Sequence, residues 1–190
     1  MGWKICYSNS KGEDNKMIFS ETKLKGSFVI QLEKIIDERG FFARSWDEEV
    51  FKKNGCNPRL VQCNVSFNNK KGTLRGLHYQ EPPHQEAKLV RCTKGRIFDV
   101  IVDLRETSST MNQWFGVELS ENNNKMLYIP EGFAHGFQTL EDDSEVFYQM
   151  SEFYFPELAK GKRWNDPSFN IAWPIKVPII SEKDSKWELN

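Results

Sequence analysis

An all-β chain, folded as an antiparallel sandwich, barrel or jelly roll, is what these 190 residues predict. Three observations carry that expectation. Strand-like runs recur at short, fairly regular intervals, turn-forming clusters separate them, and no stretch between them has the 3.6-residue apolar period of a crossover helix. A doubly wound parallel sheet needs such helices and is excluded. The length suits a single domain that buries roughly 70 % of its unfolded surface.

Residues 1 to 17 are polar and aperiodic through Asn9, Ser10, Gly12, Glu13, Asp14 and Asn15. They read as a poorly ordered leader outside the core, leaving 18 to 190 as the folded domain. Strands are expected over 27–32, 60–67, 88–92, 97–104, 114–119, 125–129, 136–140 and 145–150. The clearest is 97–104, where Phe98, Val100, Val102 and Leu104 share one face and Ile97, Asp99, Ile101 and Asp103 share the other. Polar, glycine-bearing or asparagine-rich runs at 68–72, 93–96 and 121–124 supply the turns of an antiparallel meander.

Only short, peripheral helices are expected. Ser45 and Glu48 have capping-box spacing, Trp46 and Val50 share a face, and Gly55 is placed to end the helix in a left-handed cap. A further helical turn is expected after Pro156, and the segment beyond Pro178 is left unassigned.

Formal net charge is −1 and the basic residues are scattered, so no footprint for nucleic acid exists, and any anionic partner is small. No apolar run approaches the ~20 residues of a membrane span. Cys6, Cys56, Cys63 and Cys92 stand far apart with no CxxC pair and no secretory pattern before them. They read as reduced thiols in a cytoplasmic protein.

Two of the three histidines lie in glycine-punctuated, β-rich runs: Arg75-Gly76-Leu77-His78-Tyr79-Gln80, and His135 within the stretch from Pro130 to Phe137. With Arg75 and Lys88 near His78 in sequence, the pattern suggests proton transfer on an anionic substrate, since neutral imidazole is the usual base near pH 7. One histidine from each run gives too few ligands for a catalytic metal, and Gln80 stands where a His-x-His pair would complete one. His84, beyond Pro82-Pro83, reads as a loop-surface residue.

Taken in order, these motifs resemble those of the dTDP-4-dehydrorhamnose 3,5-epimerases, the RmlC-like branch of the cupin superfamily. The resemblance spans roughly residues 18 to 187. It rests on Asp37-Glu38-Arg39-Gly40-Phe41-Phe42, Val61-Gln62-Cys63-Asn64-Val65-Ser66, the two histidine runs and Lys88-Leu89-Val90-Arg91-Cys92. Ile97-Phe98-Asp99-Val100, Tyr128-Ile129-Pro130, Arg163-Trp164-Asn165-Asp166-Pro167 and Ser181-Glu182-Lys183-Asp184 complete it.

The resemblance implies a homodimeric cupin-type jelly roll that uses no metal or other cofactor. It implies epimerisation at C3 and C5 of a dTDP-linked 4-keto-6-deoxyhexose through an enolate, in dTDP-L-rhamnose biosynthesis. By position His78 matches the base, Asp184 its carboxylate partner, Tyr148 the acid on the other face and Lys88 the cation beside the oxyanion. Arg75 and His135 match cavity-lining groups. Arg39, Phe42, Gln62, Asn64 and Lys183 match sugar-nucleotide contacts, and Tyr154 matches the aromatic stacked on thymine.

Arg44 departs from the pattern, standing where many members carry a substrate-contacting glutamate, and 157–161 aligns poorly. Four alternatives stay open at this point: epimerisation at C3 alone, action on another nucleotide-linked 4-keto sugar, a non-catalytic sugar-nucleotide-binding cupin, and a metal-dependent cupin isomerase or dioxygenase.

Overall fold

The structure, a computed structural model, describes residues 5–6 and 16–190. The expected disorder of the leader therefore falls largely outside the described residues. Met17, which the sequence assigns to that leader, instead opens a strand with its side chain 6 % exposed in the core.

In chain order the strands begin with β1 (Ile5–Cys6), β2 (Met17–Glu21) and β3 (Phe28–Leu32). A small hairpin, β4 (Ile35–Asp37) and β5 (Gly40–Phe42), precedes helix α1 (Glu48–Lys53). The barrel strands are β6 (Gln62–Asn68), β7 (Thr73–Gln80), β8 (Lys88–Lys94) and β9 (Arg96–Asp103), then β10 (Trp114–Ser120), β11 (Met126–Ile129), β12 (Phe133–Thr139) and β13 (Ser144–Met150). Short β14 (Ala159–Gly161), β15 (Ile179–Ile180) and α2 (Glu182–Ser185) close the chain.

One sheet runs β1-β2-β3-β11-β8-β13-β6 and the other β10-β9-β12-β7-β14. Every pairing is antiparallel except that of β15, which lies parallel to β7. The expected jelly roll is present, with α1 and α2 as its only helices among the described residues.

The alternation foreseen on β9 explains the layering. Ile97 and Ile101 join Val90, Leu127, Phe133, Phe137 and Val146 between the two sheets. Val100 and Val102 point the other way, under Phe169, with Ile171 and Trp173 packed alongside. The C-terminal segment thus covers the outer face of the second sheet, and α1, through Phe51, covers the outer face of the first with Phe19, Ile30 and Tyr128. β9 and β12 are covered on both faces, so neither alternates simply between an apolar and a polar side.

Two sequence expectations need correction. Asp47, not Ser45, caps α1: its Oδ1 accepts from the Val50 N–H at 3.1 Å, so Glu48 is the first helical residue rather than the capping-box partner. Gly55 follows the helix with φ +74°, in keeping with its expected role. The helical turn expected after Pro156 is present as a single turn, with the Leu158 and Ala159 N–H groups both bonded to the Phe155 carbonyl, before the chain enters β14. β7 was missed because its period breaks at Gly76, for a reason that also builds the site.

Candidate active site

The inner faces of the two sheets continue past the apolar core into a polar mouth. On β13 Tyr148 follows Val146 at period two, and on β8 Lys88 precedes Val90 in the same way, so both project inward. The register places Asn64 opposite Tyr148 and Gln62 opposite Met150, putting the polar residues of β6 on the same face. His135 lies between Phe133 and Phe137 on the inner face of β12.

β7 supplies Arg75 and His78, whose odd spacing would put them on opposite faces of a regular strand. The register against β12 slips between His135↔His78 and Phe137↔Arg75, a bulge that restores both to the inner side. Gly76 sits at the bulge with φ +128°, and a Cβ there would meet the Gly136 Cα at 2.5 Å. Only glycine suits this position. Freed from the ladder, the Gly76 N–H donates to Asp184 Oδ2 at 3.2 Å.

Asp184 arrives from far along the chain. β15 docks beside Thr73 and Leu74, and Ser181 caps the short α2 by accepting from the Asp184 N–H at 3.1 Å. Asp184 Oδ1 then lies 2.7 Å from His78 Nε2. Burial pushes the Asp184 carboxyl up, but the His78 imidazole and the Gly76 N–H outweigh it and hold it below the usual carboxylate range. The aspartate stays ionised at neutral pH.

A second imidazole–carboxylate pair lies deeper, with His135 Nε2 2.8 Å from Asp99 Oδ1. Lys88 forms an ion pair with Glu86 at 2.9 Å, both side chains buried. Burial raises the Tyr148 phenol above its ordinary value, with the Arg75 charge opposing, so it remains protonated. Arg75 is itself held by Asn68, its Nε donating to Oδ1 at 2.8 Å.

These groups enclose two adjoining hollows of about 380 Å³ each. His78, Lys88 and Tyr148 line both. Gln62, Asn64, Tyr154 and Lys183 line the first, and Arg75, His135 and Asp184 the second. At the mouth, Gln62 Oε1 accepts from the Tyr154 N–H at 2.7 Å, and Gln80 bonds the main chain of Phe153 and Phe155, fixing the segment that presents Tyr154.

Two expected residues are elsewhere. Arg39 and Phe42 sit on the β4–β5 hairpin, line neither hollow and are exposed, Arg39 paired with Asp37. Arg44 lies 3.2 Å from the helix cap Asp47 and lines neither hollow. His84 stacks on Phe155 at 3.8 Å.

Sequence reasoning missed Asp99, Glu86 and Trp187. Asp99 had a signal: a carboxylate between Ile97 and Ile101 on an apolar face needs a partner. Glu86 precedes Lys88 at the same-face spacing. Trp187 gave none, because it reaches the first hollow only by packing on Gly161, where any Cβ would collide with its ring.

Comparison with known proteins decides the family. The sequence pattern of dTDP-4-dehydrorhamnose 3,5-epimerase matches residues 21–190. The chain belongs to the dTDP-4-dehydrorhamnose 3,5-epimerase family. Within the family, the enzyme of that name from Methanothermobacter thermautotrophicus is 46 % identical over 173 residues, covering 90 % of this chain and 92 % of the relative. The crystal structure of the Bacillus anthracis enzyme with TDP and PPi bound superposes with a TM-score of 0.89 at 40 % identity, covering 92 % of this chain and all of that one. The Legionella pneumophila epimerase in complex with dTDP-4-keto-L-rhamnose gives 0.86 at 38 %, covering 92 % and 93 %.

No three His, Cys, Asp or Glu residues that could hold a metal ion come together among the described residues. None of the described helices is long and apolar enough to cross a membrane.

Proposed function

We infer that this chain epimerises dTDP-4-keto-6-deoxy-D-glucose at C3 and C5 to dTDP-4-keto-L-rhamnose. One observation carries the reading: an imidazole paired to an ionised carboxylate and a partly buried, protonated phenol line the same hollows from opposite sheets.

A C4 ketone acidifies the hydrogens on both adjacent carbons. His78 removes one of them as a base, and Asp184 holds the imidazole in orientation and favours the imidazolium that forms. The electron pair moves onto the C4 oxygen as an enolate, where the Lys88 ammonium stabilises the developing charge. Tyr148, on the opposite wall, returns a proton to the other face and inverts the carbon. Nothing is oxidised, so proton transfer suffices. Lys183, Asn64 and the amide nitrogen of Gln62 are placed to bind the sugar nucleotide, and Tyr154 at the mouth offers a ring for the base to stack on.

The exposed hairpin gives the oligomeric reading. Ile36, Phe41 and Phe42 expose 77 %, 52 % and 63 % of their surfaces, an apolar patch that a partner would cover. The chain acts as a homodimer, and the β4–β5 hairpin of each copy brings Arg39 and Phe42 to the other's nucleotide site. Light scattering from an active protein is expected to give twice the chain mass; an active monomer would refute this. A sugar-nucleotide substrate and three free cysteines among the described residues fit a cytoplasmic setting.

Proton NMR of dTDP-4-keto-6-deoxyglucose with the protein in deuterated water tests the reaction. Deuterium is expected at both C3 and C5. Exchange at C3 alone would mark a monoepimerase, and no exchange with intact dTDP binding would mark a binding protein.

A further inference from the structure

Two protein acceptors hold Lys88. Its Nζ forms an ion pair with Glu86 Oε1 at 2.9 Å and donates to the main-chain oxygen of His78 at 3.5 Å. An ammonium has three N–H donors, so one is left for the hollow that the side chain lines. Glu86, two residues before Lys88, is 4 % exposed and lines the same hollow. Its Oε2 is buried and accepts no hydrogen bond. A carboxylate kept for stability alone would satisfy both oxygens, whereas this one is held only by its ion pair with the lysine.

We propose that Glu86 is a positioning residue for the epimerisation inferred above, fixing the Lys88 ammonium so that its remaining N–H meets the C4 oxygen as the enolate forms. Lysine has a flexible four-carbon stem, and without the Oε1 acceptor its ammonium is no longer confined to one direction. What matters on this view is an acceptor at that point. Glutamine supplies one, and its NH₂ group replaces an oxygen that makes no bond in the protein. Aspartate keeps the charge but withdraws the acceptor by one methylene.

Steady-state kinetics of Glu86→Gln, Glu86→Asp, Glu86→Ala, Lys88→Ala and the Glu86→Ala/Lys88→Ala pair test this, with folding checked by thermal melts. Glu86→Gln is expected to keep kcat within about threefold. Glu86→Asp and Glu86→Ala are expected to lose about 10- to 100-fold in kcat, with KM little changed. On the Lys88→Ala background, removing Glu86 should cost nothing more. If Glu86→Ala fails to fold, the Asp and Gln variants still decide: aspartate outperforming glutamine would overturn the proposal. So would additive losses in the double variant, or a change confined to KM. No exchange by the unaltered protein would overturn the functional reading, and this proposal with it, before any variant is made.

Discussion

Two imidazole–carboxylate pairs among the described residues are of nearly equal length, 2.7 Å for His78–Asp184 and 2.8 Å for His135–Asp99. Their surroundings differ. The His78 side chain is 45 % exposed and looks into both hollows, while His135 is 10 % exposed and Asp99 is fully buried. The first pair is assembled across 106 residues by the return of α2, and the second forms between adjacent strands of one sheet. Hydrogen-bond geometry alone therefore does not identify the base. In the proposed mechanism access to the substrate does, and the more exposed pair, His78–Asp184, has it.

Substitutions can break or sharpen this contrast. The largest effect is expected at His78, where His78→Ala lowers kcat by about 10²–10⁴-fold, the usual worth of a proton-transfer group. Tyr148→Phe should lose a similar factor in product formation. Its signature differs, because the enolate still forms at His78: isotope from deuterated water continues to enter the substrate while inversion fails. Loss of both exchange and inversion in Tyr148→Phe would place the phenol on the same step as His78.

The carboxylates separate the pairs further. Asp184→Asn is expected to reduce kcat about 10- to 100-fold with little change in melting temperature, since it weakens orientation of a half-exposed imidazole. Asp99→Ala is expected to do the reverse. It leaves a buried imidazole nitrogen without its partner, at a cost of about 1–3 kcal/mol in stability, with a smaller kinetic effect than Asp184→Asn. Equal kinetic losses from the two would make the pairs functionally alike.

The smallest effect concerns a third carboxylate on the same strand face, Asp103. Burial pushes it up, but hydrogen bonds from Arg105, Ser108 and Thr110 prevail and leave it at about 2. A depressed folded value means that its stabilisation is present above the ordinary value of 3.8 and fades as the pH falls toward 2. Asp103→Asn should remove about 2 kcal/mol at neutral pH and flatten the acid limb of the stability curve, measured by urea unfolding from pH 2 to 7.

How far the sequence disclosed these features follows from their physics. β9 was legible because its apolar run separates at period two into two faces, Ile97 with Ile101 and Val100 with Val102. Both faces of β9 could even be assigned, since the buried aspartates share a face with Ile97 and Ile101. β7 was not legible, because a bulge at Gly76 destroys the period that identifies a strand. The helix cap was misplaced by two residues because Ser45 and Asp47 are both good caps, and only local packing chooses between them.

The motif residues of the candidate site were recognisable one by one, and the two sheets, α2 and the segment after β13 bring His78, Lys88, Tyr148, Asp184, Arg75, His135, Gln62, Asn64, Tyr154 and Lys183 to one pair of hollows. Asp99 and Glu86 escaped notice because a carboxylate gains its role from the cation or imidazole it meets in space. Arg39 and Phe42 remain outside, on the exposed hairpin.

The most direct test of the central claim is deuterium exchange by His78→Ala set beside its affinity for dTDP. Exchange at C3 and C5 is expected to vanish while dTDP binds within about threefold of the unaltered protein, as fits a group that acts on the reacting carbons rather than on the nucleotide. Undiminished exchange in the folded variant would contradict the account.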